Sequence, residues 1–195
     1  MEDRILELSK KYNLSHLGSC LTSVKIIDYI YSIKEKDDIF ILSNGHAGLA
    51  LYVILEKYLD LNAEELFLKY GVHPVRDIEN GIYCTTGSLG LGLSIAIGEA
   101  LSNKDRKVYV LISDGECAEG IVWESLAFIK KNKIDNIEVF VNANGYGAYC
   151  EIEVIKLFRR LHSFLPEIIF VQTDYNDYNF LNGMDAHYYK LKEDE

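Results

Sequence analysis

Two polar residues interrupt otherwise apolar runs at matched places in this sequence. Asp114 follows VYVLIS, and Asn144 follows VFVNA thirty positions later. Thirty residues is about one strand–helix–strand unit, so the two can face each other across adjacent strand ends. A carboxylate, an amide oxygen and a nearby backbone carbonyl are hard oxygen ligands of the kind Mg²⁺ or Ca²⁺ takes. Three such ligands leave room for a bound diphosphate and water to complete an octahedron. Gly115 would let a diphosphate approach the backbone, and the amides opening the next helix would add donors. Either residue taken singly reads as a helix cap or turn former; the pair in this setting carries the inference.

These residues need a scaffold that brings strand ends together. KVYVLISDG and IEVFVNANG read as strands buried on both faces, and EIIFVQTD as a third. Helical patterns over Glu119 to Lys131 and Glu151 to Phe164 alternate with them. The expected class is therefore α/β, a parallel right-handed βαβαβ sheet with helices on both faces, and ligands lie beyond the C-terminal strand ends of such sheets. Upstream, a short helix ending near Asn13, a helix from Leu21 to Ile33 capped by Thr22 or Ser23, a strand in DDIFILSNGH, and helices at Ala47 to Tyr58 and Ala63 to Tyr70 are expected. TTGSLGLG is a glycine-rich turn before the small-residue helix LSIAIGEALSN, and LKEDE reads as a frayed tail.

The chain has 195 residues, 49% of them hydrophobic and 26% charged, which suits one globular domain over 1–195. Its formal charge of −10, with no long Lys/Arg cluster, argues against nucleic acid as a partner. No stretch approaches 18 consecutive apolar residues and the N-terminus lacks a signal core, so no membrane partner and a cytoplasmic location are expected. Cys20, Cys84, Cys117 and Cys150 form no C-x-x-C pair and read as reduced thiols. Of the five histidines, His16, His46 and His73 fall in expected loops beside Gly, Ser or Pro, where side chains reach a cleft easily. His162 falls in a helix and receives no role; Trp123 reads as core or interface.

SDGECAEGIVWES followed by NANGY is similar to the thiamine diphosphate motif, and its Asp-Gly-Glu, Glu-Gly and Trp-Glu steps resemble the transketolase family. HLGSCLTSVKIIDYIY, FILSNGHAGLALY and TTGSLGLGLSIAIGEAL match three further transketolase blocks in order, so the resemblance runs from about Ser15 to His187. It implies the thiamine diphosphate-binding fold of the diphosphate (PP) domain, with thiamine diphosphate and Mg²⁺ (or Ca²⁺) as cofactors. It implies metal ligation by Asp114, Asn144 and the carbonyl of Tyr146, and cofactor contacts from His46, Gly115 and Glu116. Gly87, Ser88 and Leu89 resemble the turn under the cofactor rings. His16 and His73 resemble active-site histidines that bind sugar hydroxyls and move protons, and His187 resembles a histidine near the diphosphate and substrate. Glu119 and Glu124 resemble glutamates coupling two cofactor sites across an interface between subunits.

The carboxylate that protonates the cofactor pyrimidine belongs, in the resemblance, to a second domain. The expectation is a separate subunit carrying that domain in an α₂β₂ assembly, active on ketose and aldose phosphates only as a complex. Ser113 stands where the family has Gly, Val75 where it has an acid, and TDYNDYNF replaces a glycine-rich loop; with the shortened C-terminal part, this trimming points to a specialised sugar. Other thiamine enzymes (deoxyxylulose phosphate synthase, two-oxo-acid dehydrogenase), a non-catalytic subunit kept for assembly, and a Rossmann-type NAD-binding protein are the alternatives. The last has its glycines in the reverse of G-x-G-x-x-G spacing.

Overall fold

The β-sheet is wholly parallel and runs in sequence order, β1 (Ile39–Leu42), β2 (Val108–Ser113), β3 (Ile137–Ala143) and β4 (Ile169–Gln172). The computed structural model describes residues 1–192, apart from the side chain of Asp185. Part of the expected frayed tail, residues 193–195, lies outside the described residues.

Period-2 alternation sorts the strand residues between two cores. Phe40, Leu42, Tyr109, Leu111 and Phe140 pack under α1 (Glu2–Lys11), α2 (Leu17–Ile33), α3 (Gly48–Leu59) and α4 (Ala63–Tyr70). Ile39, Ile41, Val108, Val110, Ile112, Val139 and Val141 pack under α5 (Leu91–Ser102), α6 (Gly120–Asn132) and α7 (Val154–Phe164). Both faces of β1–β3 are covered, which is why these strands read as continuous apolar runs, whereas the edge strand β4 is only partly buried. The register pairs Ser113 with Asn142, so the tips of β2 and β3 end level. That alignment places Asp114 and Asn144 together.

α2 departs from expectation at its start. It begins at Leu17, with His16 at the cap position in the left-handed conformation (φ +64°), so neither Thr22 nor Ser23 caps it. Both lie inside the helix and are buried, and the Thr22 hydroxyl donates back to Gly18 O at 2.7 Å. Their polarity serves a tertiary contact, described below, which local sequence cannot distinguish from a cap. α7 likewise starts at Val154 rather than Glu151, because Glu151 pairs with Tyr146 in an isolated antiparallel bridge. α4 matches its expected bounds, and Asn62 caps it by accepting from the amides of Glu64 and Glu65. Among the described residues no helix is long and apolar enough to cross a membrane.

Candidate functional site

Beyond the tips of β2 and β3 lies a cavity of about 570 Å³. Asp114 sits on its wall, 2% exposed, with its amide donating to Asn142 O at 3.0 Å as one more rung of the sheet. Its carboxylate accepts from Gly115 N at 2.9 Å and from Gly145 N at 2.7 Å, bridging the two strand ends. Burial pushes this carboxyl up to about 6, a rise that the backbone amides partly offset. Asn144 Oδ1 accepts from Tyr146 N at 3.0 Å, closing an Asx turn. Asn144, Tyr146 and Gly115 line the same cavity. Ser113, the residue that departs from the family pattern, does not have a positive φ, so glycine is not needed there.

Glu116, expected as a cofactor contact, lies apart from the cavity wall. It is 0% exposed and does not open onto the cavity. Its Oε1 accepts from Ser43 Oγ at 2.6 Å and Gly90 N at 2.8 Å, and its Oε2 from Ser113 N at 2.9 Å. The carboxylate thus knots the end of β1, the glycine turn and the end of β2, while burial pushes its pKa up. The sequence shows an acid after Asp-Gly but not the direction in which the 3-10 turn Gly115–Ala118 aims it.

A second buried knot escapes a reading of the sequence. Asn142 Nδ2 donates to Thr22 Oγ1 at 2.9 Å and Ser23 Oγ at 3.0 Å, and Asn142 Oδ1 accepts from Thr173 Oγ1 at 2.5 Å. α2, β3 and the end of β4 are pinned together at the cavity floor. The available signal is polar Thr-Ser inside an apolar helix and Asn inside an apolar strand.

The opposite wall is built from distant segments. The 3-10 turn Gly45–Ala47 presses on the glycine turn: a Cβ on Gly45 would lie 2.7 Å from Thr86 Oγ1 and 2.8 Å from Gly87 N, so only glycine fits. Gly87 has φ +146° and sits against the His73 ring. The imidazoles of His16, His46 and His187 cluster, with ring centres 5.4 Å (His16–His46), 4.5 Å (His16–His187) and 6.0 Å (His46–His187) apart. Burial pushes His16 down to about 4 and His46 down to about 3, neighbouring imidazoles add to the shift, and burial lowers His187 as well. All three are therefore neutral near pH 7. His16 Nδ1 and Asn44 Oδ1 are buried without a hydrogen-bond partner.

The cavity thus gathers His16, His46, His73, Gly87, Leu89, Asp114, Gly115, Glu119, Asn144, Tyr146 and His187, the weakest sequence match among them. Glu119 is exposed at the mouth. Ser88 is exposed outside the cavity wall, and Glu124 is exposed on α6 away from it. His162 packs on Phe158 of α7, outside the cavity. Trp123 donates from Nε1 to Cys117 O at 2.9 Å and carries the Arg160 guanidinium 4.5 Å above its ring, a packing role. Cys20, Cys84 and Cys117 are buried free thiols, and Cys150 is exposed at the cavity.

The donor set suits a hard cation with a diphosphate. Asp114 is a buried carboxylate whose hydrogen-bond partners are backbone amides, so its charge calls for a cation, and oxygen donors stand beside it. Among the described residues no group of three or more His, Cys, Asp or Glu side chains could hold a metal ion. A cation here would therefore depend on amide, carbonyl and ligand oxygens.

Residues 32–158 match the family described as transketolase, thiamine diphosphate binding domain. The chain is 32% identical to one subunit of the apulose-4-phosphate transketolase from Phocaeicola vulgatus, covering 72% of this chain and 57% of that one. It is 33% identical to a transketolase from Pongo abelii, covering 68% of this chain and 24% of that enzyme. It therefore spans little more than half of the first relative and about a quarter of the second. The crystal structure of transketolase from Campylobacter jejuni superposes with a TM-score of 0.75 at 22% identity, over 99% of this chain and 40% of that one, a likeness of fold. With the matched stretch running through His46, His73, Asp114 and Asn144, the chain belongs to the transketolase family by its thiamine diphosphate-binding domain.

Proposed function

We propose that this chain is the diphosphate-binding component of a two-component transketolase. The observation that carries the reading is the convergence of Asp114, Asn144 and three neutral imidazoles on one cavity beyond adjacent strand tips. Asp114, Asn144 and the Tyr146 carbonyl would hold Mg²⁺ or Ca²⁺ against the diphosphate of thiamine diphosphate, with Gly115 letting the phosphates approach the main chain. When bound, the cofactor supplies the chemistry that breaks and makes carbon–carbon bonds beside a carbonyl, so that a two-carbon ketol unit passes from a ketose to an aldose.

The residues of this chain supply binding and proton handling around that chemistry. A neutral imidazole can donate from one nitrogen and accept at the other, so His16, His46 and His187 can each grip a sugar hydroxyl or pass a proton without bringing net charge. His73, beside Gly87, would close the sugar end of the cleft. Glu119 at the mouth faces outward, where a second chain would meet it.

That second chain is proposed to carry the pyrimidine-binding domain, in an α₂β₂ heterotetramer in the cytoplasm. The P. vulgatus relative is itself named as one subunit of its transketolase, which supports a divided enzyme. Sugar phosphates are the proposed substrates. The test is co-expression with the candidate partner encoded beside it, followed by a ketose-to-aldose transfer assay. Turnover should require both chains, thiamine diphosphate and a divalent cation. Strong turnover by this chain alone, or a complex whose melting temperature ignores cofactor plus cation, would overturn the reading.

A further inference from the structure

The segment after β4 returns across the N-terminal end of α2 and delivers His187 to the cavity. It is folded by its own turns, with Tyr178 N donating to Tyr175 O and Leu181 N to Tyr178 O, both at 2.9 Å. Leu181 and Ala186 are buried in the α2-side core. The strap is clamped at two points. His16 N donates to His187 O at 3.0 Å, and the Tyr175 hydroxyl donates to Gly183 O at 3.0 Å. Tyr175 is 7% exposed and fills the space left by a missing side chain: a Cβ on Gly18 would lie 3.2 Å from its Cε1 and 3.9 Å from the Ala186 Cβ. Its other side faces the Tyr146 ring, 5.8 Å between centres. One aromatic side chain therefore stands between both walls of the site.

We propose that Tyr175 is a positioning residue, whose hydroxyl and ring lock the strap so that His187 lies against His16 at the sugar end of the cavity. The inference rests on the transketolase reading for its consequence and on geometry alone for the clamp. The hydroxyl holds the strap and the ring holds Tyr146; Tyr175→Phe removes the first contact and spares the second.

Two measurements test it. Hydrogen exchange of the full chain follows the His16 amide through a peptide spanning 14–20. In Tyr175→Phe that amide should exchange at least about tenfold faster while β2 and β3 keep wild-type rates. Gly18→Ala, which pushes the ring from the other side, should give the same signature. In the two-component complex, Tyr175→Phe should raise KM for the donor ketose about fivefold or more, leaving kcat and cofactor affinity within about twofold. Wild-type exchange at His16 in both variants overturns the clamp. Faster exchange with unchanged KM overturns the positioning role. A wild-type complex without transfer activity would sink the transketolase reading, and the exchange experiment, which needs no turnover, would still decide the clamp.

Discussion

The two walls of the cavity hold their polar groups in opposite ways. The strand-tip wall comes from neighbouring rungs of one sheet, and Asp114 and Asn144 take their geometry from backbone amides at 2.7–3.0 Å. The histidine wall draws on a helix start, a 3-10 turn and a strap near residue 187, joined by one long-range main-chain bond and by ring contacts. The first wall is as rigid as the sheet. The second depends on three separate segments all being in place.

The sharpest way to break this comparison is Asp114→Ala. It should lower affinity for cation plus thiamine diphosphate by about 100-fold or more in the two-component complex, about 3 kcal/mol, with the fold intact. Calorimetry measures it; unchanged affinity would remove Asp114 from the metal site. Glu116→Gln should do the reverse. The new amide NH₂ would face the Ser43, Gly90 or Ser113 donors, costing about 3 kcal/mol of stability in urea titration while cofactor affinity per folded molecule changes little. A large affinity loss without destabilisation would restore Glu116 as a direct contact. Asn142→Ala removes the amide shared by the Thr22, Ser23 and Thr173 hydroxyls, although Thr22 keeps Gly18 O and Ser23 keeps Asn44 Nδ2, and should cost about 2 kcal/mol. A cost near zero would show that the knot merely tidies the interior.

The last test concerns pH and the histidine wall, where the effect is read as a slope. Folding lowers the pKa of His46 to about 3 and of His16 to about 4, so the unfolded chain binds more protons below pH 6.5. Stability is then intact above that pH and falls as pH drops toward the folded values, by at most about 1.4 kcal/mol per pH unit for each histidine. His46→Asn should flatten the decline between pH 6 and pH 4 in thermal melts. A slope that ignores the substitution would place the acid lability elsewhere.

The strand-tip wall was legible because it needs only local pattern: apolar runs end in Asp114 and Asn144 one strand–helix–strand unit apart, and parallel register does the rest. The histidine wall was legible only in its members. His16, His46 and His73 drew attention as loop residues near Gly, Ser or Pro, but nothing in the sequence says that His187 closes on His16 within 4.5 Å. The matched family stretch, residues 32–158, excludes both of them. Thr22 and Ser23 misled for a related reason: a hydroxyl that caps a helix and one that binds a strand asparagine look the same in one dimension. Glu116 reads as a contact because it is charged and stands beside a ligand motif, and only the turn shows it facing inward.

The exposed thiol of Cys150 offers an experimental handle. Burial shields Cys20, Cys84 and Cys117 and raises their pKa values, Cys20 to about 12. A maleimide fluorophore offered to the unmodified chain should therefore attach at one place, the rim of the cavity. Its emission would then report arrival of whatever enters, with no engineered cysteine and no need to know in advance which sugar that is.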